Sequence, residues 1–117
     1  MQVSSQSPVP FQFKRKGGSI ITSRADVWSA VASGWKLVDA VVFQQVTAPN
    51  EQLSLKLQKG QYTVVFQCRV EESVNGVYDF GLNCGASAVF ADNGNVNTTS
   101  DPHDAKVYKD QFVLDVN

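Results

Sequence analysis

The sequence predicts a mainly β protein, an antiparallel β-sandwich or jelly-roll-like domain of about seven or eight strands. Two observations lead to this prediction. Short segments in which apolar and polar side chains alternate recur along the chain, with turn residues between them. The composition is also typical of strands, since seven Phe residues and many Val residues accompany a hydrophobic content of 43%. A chain of 117 residues with 18% charged residues has the size and composition of one globular domain.

The N-terminal segment differs from the rest of the chain in composition. Residues 1–10 are rich in Ser, Gln and Pro, and we expect them to form an extended N-terminal arm. The single β-sandwich domain then spans residues 11–117. Its first strand has Phe11 and Phe13 on one face and ends at a Gly-Gly pair.

One short helix is expected, at about residues 24–33. Ser23 is in position to cap its N-terminus, and Asp26 follows three residues later as in a capping box. Gly34 is well placed to end it. The apolar residues at helical spacing are Val27, Trp28 and Val31. We expect this short helix to be held by docking onto the sheet.

The remaining chain reads as strands. Residues 37–46 are apolar on both faces, as in a central strand that is covered on both sides. Further strands are expected at residues 53–57, 62–70, 78–84, 86–91 and 108–116. Asn75-Gly76 is the strongest hairpin signal and predicts that strands 62–70 and 78–84 pair. Cys68 and Cys84 would then share a face, as buried free thiols or, in the alternative, as a disulfide.

Residues that could perform catalysis are scarce. The single histidine, His103, lies in a polar loop, and the chain contains no G-x-S-x-G, P-loop, C-x-x-C or H-E-x-x-H sequence. We therefore expect neither an enzyme nor a bound cofactor. The same loop gathers oxygen donors that could bind calcium, although turns use Asn, Asp and Gly for backbone reasons alone. The candidate calcium ligands are Asp92, Asn95, Asn97, Asp101 and Asp104.

Charge is distributed unevenly along the chain. Residues 1–59 hold seven basic and three acidic residues, whereas residues 60–117 hold three basic and eight acidic ones. Halves of opposite sign can attract each other within one molecule or between copies of it. The triplet Lys14-Arg15-Lys16 could contact an acidic face or phosphates. Because alternate side chains of a strand point in opposite directions, protection of an edge strand is the interpretation that we favour.

A structural or assembly protein is the function that the sequence favours, with copies of itself or a larger lattice as partner. A viral capsid, decoration or tail component would fit this description. The arm, the opposed charges and the scarcity of catalytic residues support it. The residues expected to make contacts are Val3, Pro8, Val9, Pro10, Lys14, Arg15 and Lys16.

Two other functions stay open. A carbohydrate-binding module could use the loop of residues 92–104, and an inhibitor or immunity-type protein could use the acidic second half. We expect Trp28 and Trp35 to be core residues rather than an exposed sugar-binding platform. A net charge of −1 argues against specific nucleic-acid binding. With no apolar run long enough to cross a membrane and no visible signal peptide, synthesis in the cytoplasm is expected, with a virion as a further destination.

Overall fold

The computed structural model describes residues 1–17, 20–45, 48–71, 77–95 and 105–117, and these form two β-sheets packed face to face. The described residues contain nine strands and no helix, so the predicted mainly-β sandwich is confirmed. The strands are β1 (Gln2–Ser5), β2 (Val9–Gly17), β3 (Ile20–Val31), β4 (Gly34–Phe43), β5 (Asn50–Leu55), β6 (Gly60–Glu71), β7 (Val77–Cys84), β8 (Ser87–Asn95) and β9 (Ala105–Val116).

The strands divide into a five-stranded sheet, in the order β1-β9-β6-β3-β4, and a four-stranded sheet, in the order β5-β2-β7-β8. β1 runs parallel to β9, and the other neighbours are antiparallel. The consecutive pairs β3–β4 and β7–β8 form hairpins, whereas the other connections cross from one sheet to the other. These repeated crossings are typical of sandwich topologies.

Aromatic side chains fill the space between the two sheets. Phe66 of β6 lies among them, with its ring centroid 5.9 Å from Phe13 and 5.4 Å from Phe90. The side chains that alternate along β6, β7 and β9 point into this core, as their period of two predicts. Burial of these large rings, which pack in tilted and edge-to-face pairs, holds the two sheets together.

The predicted helix at residues 24–33 is wrong, because residues 24–31 belong to β3 and residues 32–33 form the turn to β4. The inward side chains of β3 are Ile21, Ser23, Ala25 and Val27. Ser23 and Ala25 are small, so the alternation of apolar and polar residues is hard to see in this segment. The larger residues Val27, Trp28 and Val31 happen to recur at helical spacing. Pairing with β4 on one side and β6 on the other provides hydrogen-bond partners for the backbone N–H and C=O groups of β3. No helix in the described ranges is long and apolar enough to span a membrane.

The predicted N-terminal arm is also wrong as a separate element. Residues 2–5 form β1, which pairs with the last strand and places Val3 opposite Leu114. Val3 is 2% exposed, and Val9, which begins β2, is fully buried. Two buried valines stabilise this segment inside the domain, so residues 1–10 are part of the sandwich.

The hairpin predicted from Asn75-Gly76 does not form. β6 pairs with β3 and β9 in the five-stranded sheet, whereas β7 pairs with β2 and β8 in the other sheet. The Asn-Gly pair itself lies outside the described residues. A turn signal reports only the local preference of the backbone. Here burial of the apolar faces between the two sheets determines which strands pair.

Candidate interaction surface

β4 is a long strand at the edge of the five-stranded sheet. The prediction that residues 37–46 form a central strand is therefore wrong, and residues 46–47 lie outside the described residues. Among the described strands, β4 pairs with β3 alone. Trp35 is 61% exposed and Leu37 is 46% exposed, and Val38 and Val42 are exposed as well. Proteins usually protect long apolar edges because unpaired N–H and C=O groups attract other strands. The open edge of β4 is thus the most unusual surface feature of the described fold.

A β-bulge changes the way in which β4 presents its side chains. Asp39 pairs with Val27 and Leu37 pairs with Trp28, so Val38 is an extra residue on β4. Such a bulge shifts the alternation of the strand by one position. As a result Lys36, which pairs with Ser29 of β3, lies on the same face of β4 as Asp39. Two opposite charges three residues apart therefore share one face of the open edge.

A shallow groove of about 480 Å³ lies on the outer face of the five-stranded sheet, beside β4. Trp28 of β3 and Trp35 of β4 line it, and Trp28 is half-buried. The prediction that both tryptophans are core residues is therefore wrong, because Trp35 is exposed and the half-buried Trp28 lies on the outer face, away from the core. Strand alternation explains their position, because Trp28 follows the inward-facing Val27 and so points outward. The other lining residues are Asp26, Thr63, Val65, Gln67, Lys109 and Gln111.

A second depression adjoins this groove on the same outer face. The two share Gln67, and the second one also contains Thr22, Arg24 and Val42. Between them Arg24 donates from Nη2 to Asp26 Oδ1 at 2.6 Å. This ion pair orients the Asp26 carboxylate where it lines the tryptophan groove.

The residues predicted to contact a partner divide between the core and the surface. The side chains of Val3 and Val9 lie in the core and are closed to a partner. Pro8 is exposed and Pro10 is half-buried at the start of β2. Lys14 and Lys16 are exposed on β2, and a role for them in contacts stays a prediction.

Arg15, the middle residue of the basic triplet, is buried and structural. β2 lies between β5 and β7, so protection of an edge strand cannot explain the triplet. The guanidinium donates from Nε to the carbonyl of Ile21 at 2.9 Å, and its Nη2 lies 3.2 Å from Glu51 Oε1. Glu51 also accepts the backbone N–H groups of Gln44 and Gln45. This network therefore fastens the connection between β4 and β5 to the core.

The predicted calcium ligands are described only in part. Asn97, Asp101, Asp104 and His103 lie outside the described residues, and Asn95 is exposed at the end of β8. Within the described ranges no group of three or more His, Cys, Asp or Glu residues could hold a metal ion.

Asp92, the remaining calcium candidate, takes part in a polar contact between the two sheets. Its Oδ2 lies 3.0 Å from Lys106 Nζ of β9 and accepts a hydrogen bond of 3.0 Å from the Tyr78 hydroxyl. The hydrogen bond from Lys106 lowers the pKa of Asp92, and the bond from Tyr78 lowers it further. The hydrogen bond with Tyr78 raises the pKa of Lys106 in turn. The Asp92 carboxylate therefore stays ionised, and the charge of Lys106 already compensates its charge within the protein.

Cys68 and Cys84 are free thiols buried in different sheets. Burial raises the pKa of each thiol to about 12. Since the thiolate is the reactive form, these cysteines are poor nucleophiles in the folded protein.

The open edge of β4 and the tryptophan groove were both missed by reasoning from the sequence. Lys36 and Asp39, at the start of the apolar segment, could have indicated that β4 is an edge strand, since charged residues are common on edge strands. Comparisons with protein-family models, curated proteins and solved structures find no match to this chain.

Proposed function

We propose that this protein is a non-enzymatic assembly protein that associates with copies of itself through the open edge of β4. The observation that supports this function is the length and apolar character of that edge. β4 spans ten residues, and on its outer side the described residues provide no strand to pair with its main-chain groups. Pairing with a second strand would satisfy these groups and cover part of the exposed apolar side chains.

The charges on β4 favour a second copy as the partner. In an antiparallel pair related by a two-fold axis, Lys36 of each copy can lie opposite Asp39 of the other. The same register places Trp35 opposite Ala40, and these two residues share the outer face of β4 because they pair with Ala30 and Asp26 of β3. Opposite charges that face each other across a strand pair stabilise it. The bulge makes this register possible, since in a regular strand Lys36 and Asp39 would point to opposite faces.

This mode of pairing closes on itself. A two-fold contact uses the same surface of both molecules, so it removes both open edges at once. The two five-stranded sheets would become one continuous sheet. Attachment to a larger lattice, such as a viral particle, would use a further surface, for which the exposed Lys14 and Lys16 on the opposite sheet are candidates.

The native mass of the protein tests the proposal, measured by light scattering over a range of concentrations. We expect a dimer for the natural sequence. Lys36→Asp places like charges opposite each other twice per dimer. At about 1 kcal/mol for each pair, the dimer weakens by about 2 kcal/mol, or roughly thirty-fold in Kd. Asp39→Lys should weaken it to a similar extent.

The double variant K36D/D39K restores opposite charges with the order reversed and should recover the dimer. Lys59→Asp is the matched control, because Lys59 is an exposed lysine outside β4 and its reversal should leave the mass unchanged. A natural protein that stays monomeric at every concentration would contradict self-assembly. A dimer that resists both single reversals would rule out the β4 edge.

A further inference from the structure

We infer that the groove beside Trp28 and Trp35 binds a neutral oligosaccharide. This inference goes beyond self-assembly and does not depend on it. Pairing at the β4 edge uses main-chain groups in the plane of the sheet, whereas the groove lies on the outer face of that sheet. The two surfaces adjoin each other at Trp35, whose side chain lines the groove and would also lie opposite Ala40 of the second copy in the proposed strand pair.

The tryptophans supply the apolar part of the proposed site. The Trp35 side chain is 61% exposed on the outer face, and Trp28 is half-buried on the same face two strand positions away from the Ala30–Trp35 pair. Sugar rings present flat faces of C–H bonds, and an indole ring offers a matching flat apolar surface. A large indole exposed to water without a partner is costly, and a stacked sugar ring would cover it.

The rest of the lining supplies hydrogen-bonding groups of both kinds. Gln67 and Gln111 carry amides that donate and accept, and the Asp26 carboxylate accepts. Its Oδ1 also accepts from Arg24 at 2.6 Å, which narrows the orientations that the carboxylate can take. Sugar hydroxyls also donate and accept, and a few fixed polar groups beside apolar surface are what small polar ligands require.

Charge and backbone pairing argue against two other ligand classes. Asp26 is paired with Arg24, so Lys109 is the one charged lining residue left over, and a single lysine is a weak attraction for a nucleic acid or an acidic polysaccharide. β3 and β6 form its floor, and both pair with a strand on each side. An extended peptide therefore finds no free main-chain groups there to add a strand. A neutral, polyhydroxylated ligand is the class that fits.

The natural fluorescence of the protein provides a direct assay. Trp28 and Trp35 are the two tryptophans of the sequence, and both line the groove, so a sugar that stacks there should change the emission. Neutral oligosaccharides built from glucose, mannose, galactose, xylose or N-acetylglucosamine serve as probes, first as an immobilised panel. The best binder is then titrated in solution and its affinity is measured by calorimetry.

Variants test the location of the site. Trp35→Ala should weaken binding at least about tenfold without loss of folding, because Trp35 lies outside the core. Gln67→Ala should weaken it several-fold. Gln12→Ala is the matched control, since Gln12 lies on β2 in the other sheet, and it should bind like the natural protein. A chelator should change nothing, whereas binding through a calcium loop at residues 92–104 would be lost.

Three results would overturn the inference. The first is no binding of any neutral oligosaccharide at millimolar concentration. The second is binding that Trp35→Ala leaves unchanged or that a chelator abolishes. The third is binding of acidic polysaccharides alone.

Discussion

Replacement of Glu51 by Gln should destabilise the fold strongly, although it removes one charge and hardly changes the shape of the side chain. The side chains of Arg15 and Glu51 are 3% and 10% exposed, with 3.2 Å between Nη2 and Oε1. The other groups around the guanidinium include the carbonyls of Ile21 and Phe43, which carry only partial charge. Glu51 therefore supplies the one full negative charge that the described contacts place beside Arg15.

The magnitude follows from the burial of this pair. Removal of one partner from a buried ion pair costs roughly 3–5 kcal/mol, because the remaining charge stays away from water without compensation. Glu51→Gln keeps one oxygen as acceptor, so we expect about 3 kcal/mol, the lower end of that range. The new NH₂ group also cannot accept the backbone N–H of Gln44, which Oε2 accepts at 3.2 Å in the natural protein.

Equilibrium unfolding in urea at neutral pH measures this loss as a lower midpoint at an unchanged slope. Glu71→Gln is the matched control, because Glu71 pairs with Arg69 at 2.9 Å but both side chains are about half exposed. Exposed pairs contribute roughly 0–1 kcal/mol, so this control should change stability little. The double variant R15M/E51L should regain part of the loss, since it leaves no buried charge but also removes the hydrogen bonds of both side chains to the backbone. If Glu51→Gln lowers stability no more than Glu71→Gln does, the reasoning from burial is wrong.

Three further predictions concern the N-terminal strand, the thiols and the contact between the sheets. Deletion of residues 1–6 removes β1 and its buried valine, so thermal unfolding should show a loss of about 2 kcal/mol or more, whereas a freely detached arm would leave the melting temperature unchanged. Cys68 and Cys84 should resist alkylation by iodoacetamide at about pH 8 until the protein is unfolded, as intact mass will reveal, because burial raises their pKa values. The folded protein lowers the pKa of Asp92 below 3.8, so this carboxylate stabilises the fold above that pH and its contribution is lost as pH falls through the folded value. Asp92→Asn or Lys106→Met should therefore flatten the acid side of the stability profile, and an unchanged profile would contradict the contact.

The fold class and the inward faces of the best strands could be predicted from the sequence. The alternation of apolar and polar residues within 62–70 and 108–116 predicts the inward faces of two strands. Val64, Phe66 and Cys68 of β6 do point inward, and so do Phe112 and Leu114 of β9. Alternation is a local property of an extended chain, because successive side chains point to opposite sides whatever the partner strand is. A run of large inward residues therefore identifies a strand before its neighbours are known.

Alternation does not identify a strand whose inward residues are small. In β3 the small Ser23 and Ala25 occupy core positions, and Ser23 Oγ is buried with no hydrogen-bond partner among the described groups. The residues that stand out in this segment, such as Trp28, point outward. Size and hydrophobicity therefore indicated the wrong period, and only pairing with β4 and β6 determines that the segment is a strand.

The position of each strand within a sheet was decided by the tertiary structure alone. The sequence determined that residues 37–43 are apolar and extended, but a central strand and an open edge strand can have the same composition. In the five-stranded sheet β3 lies between β4 and β6, which leaves β4 at the edge with Leu37 exposed. The candidate interaction surface exists for this reason, because strand pairing joins residues far apart in the chain and no local pattern specifies which edge stays open.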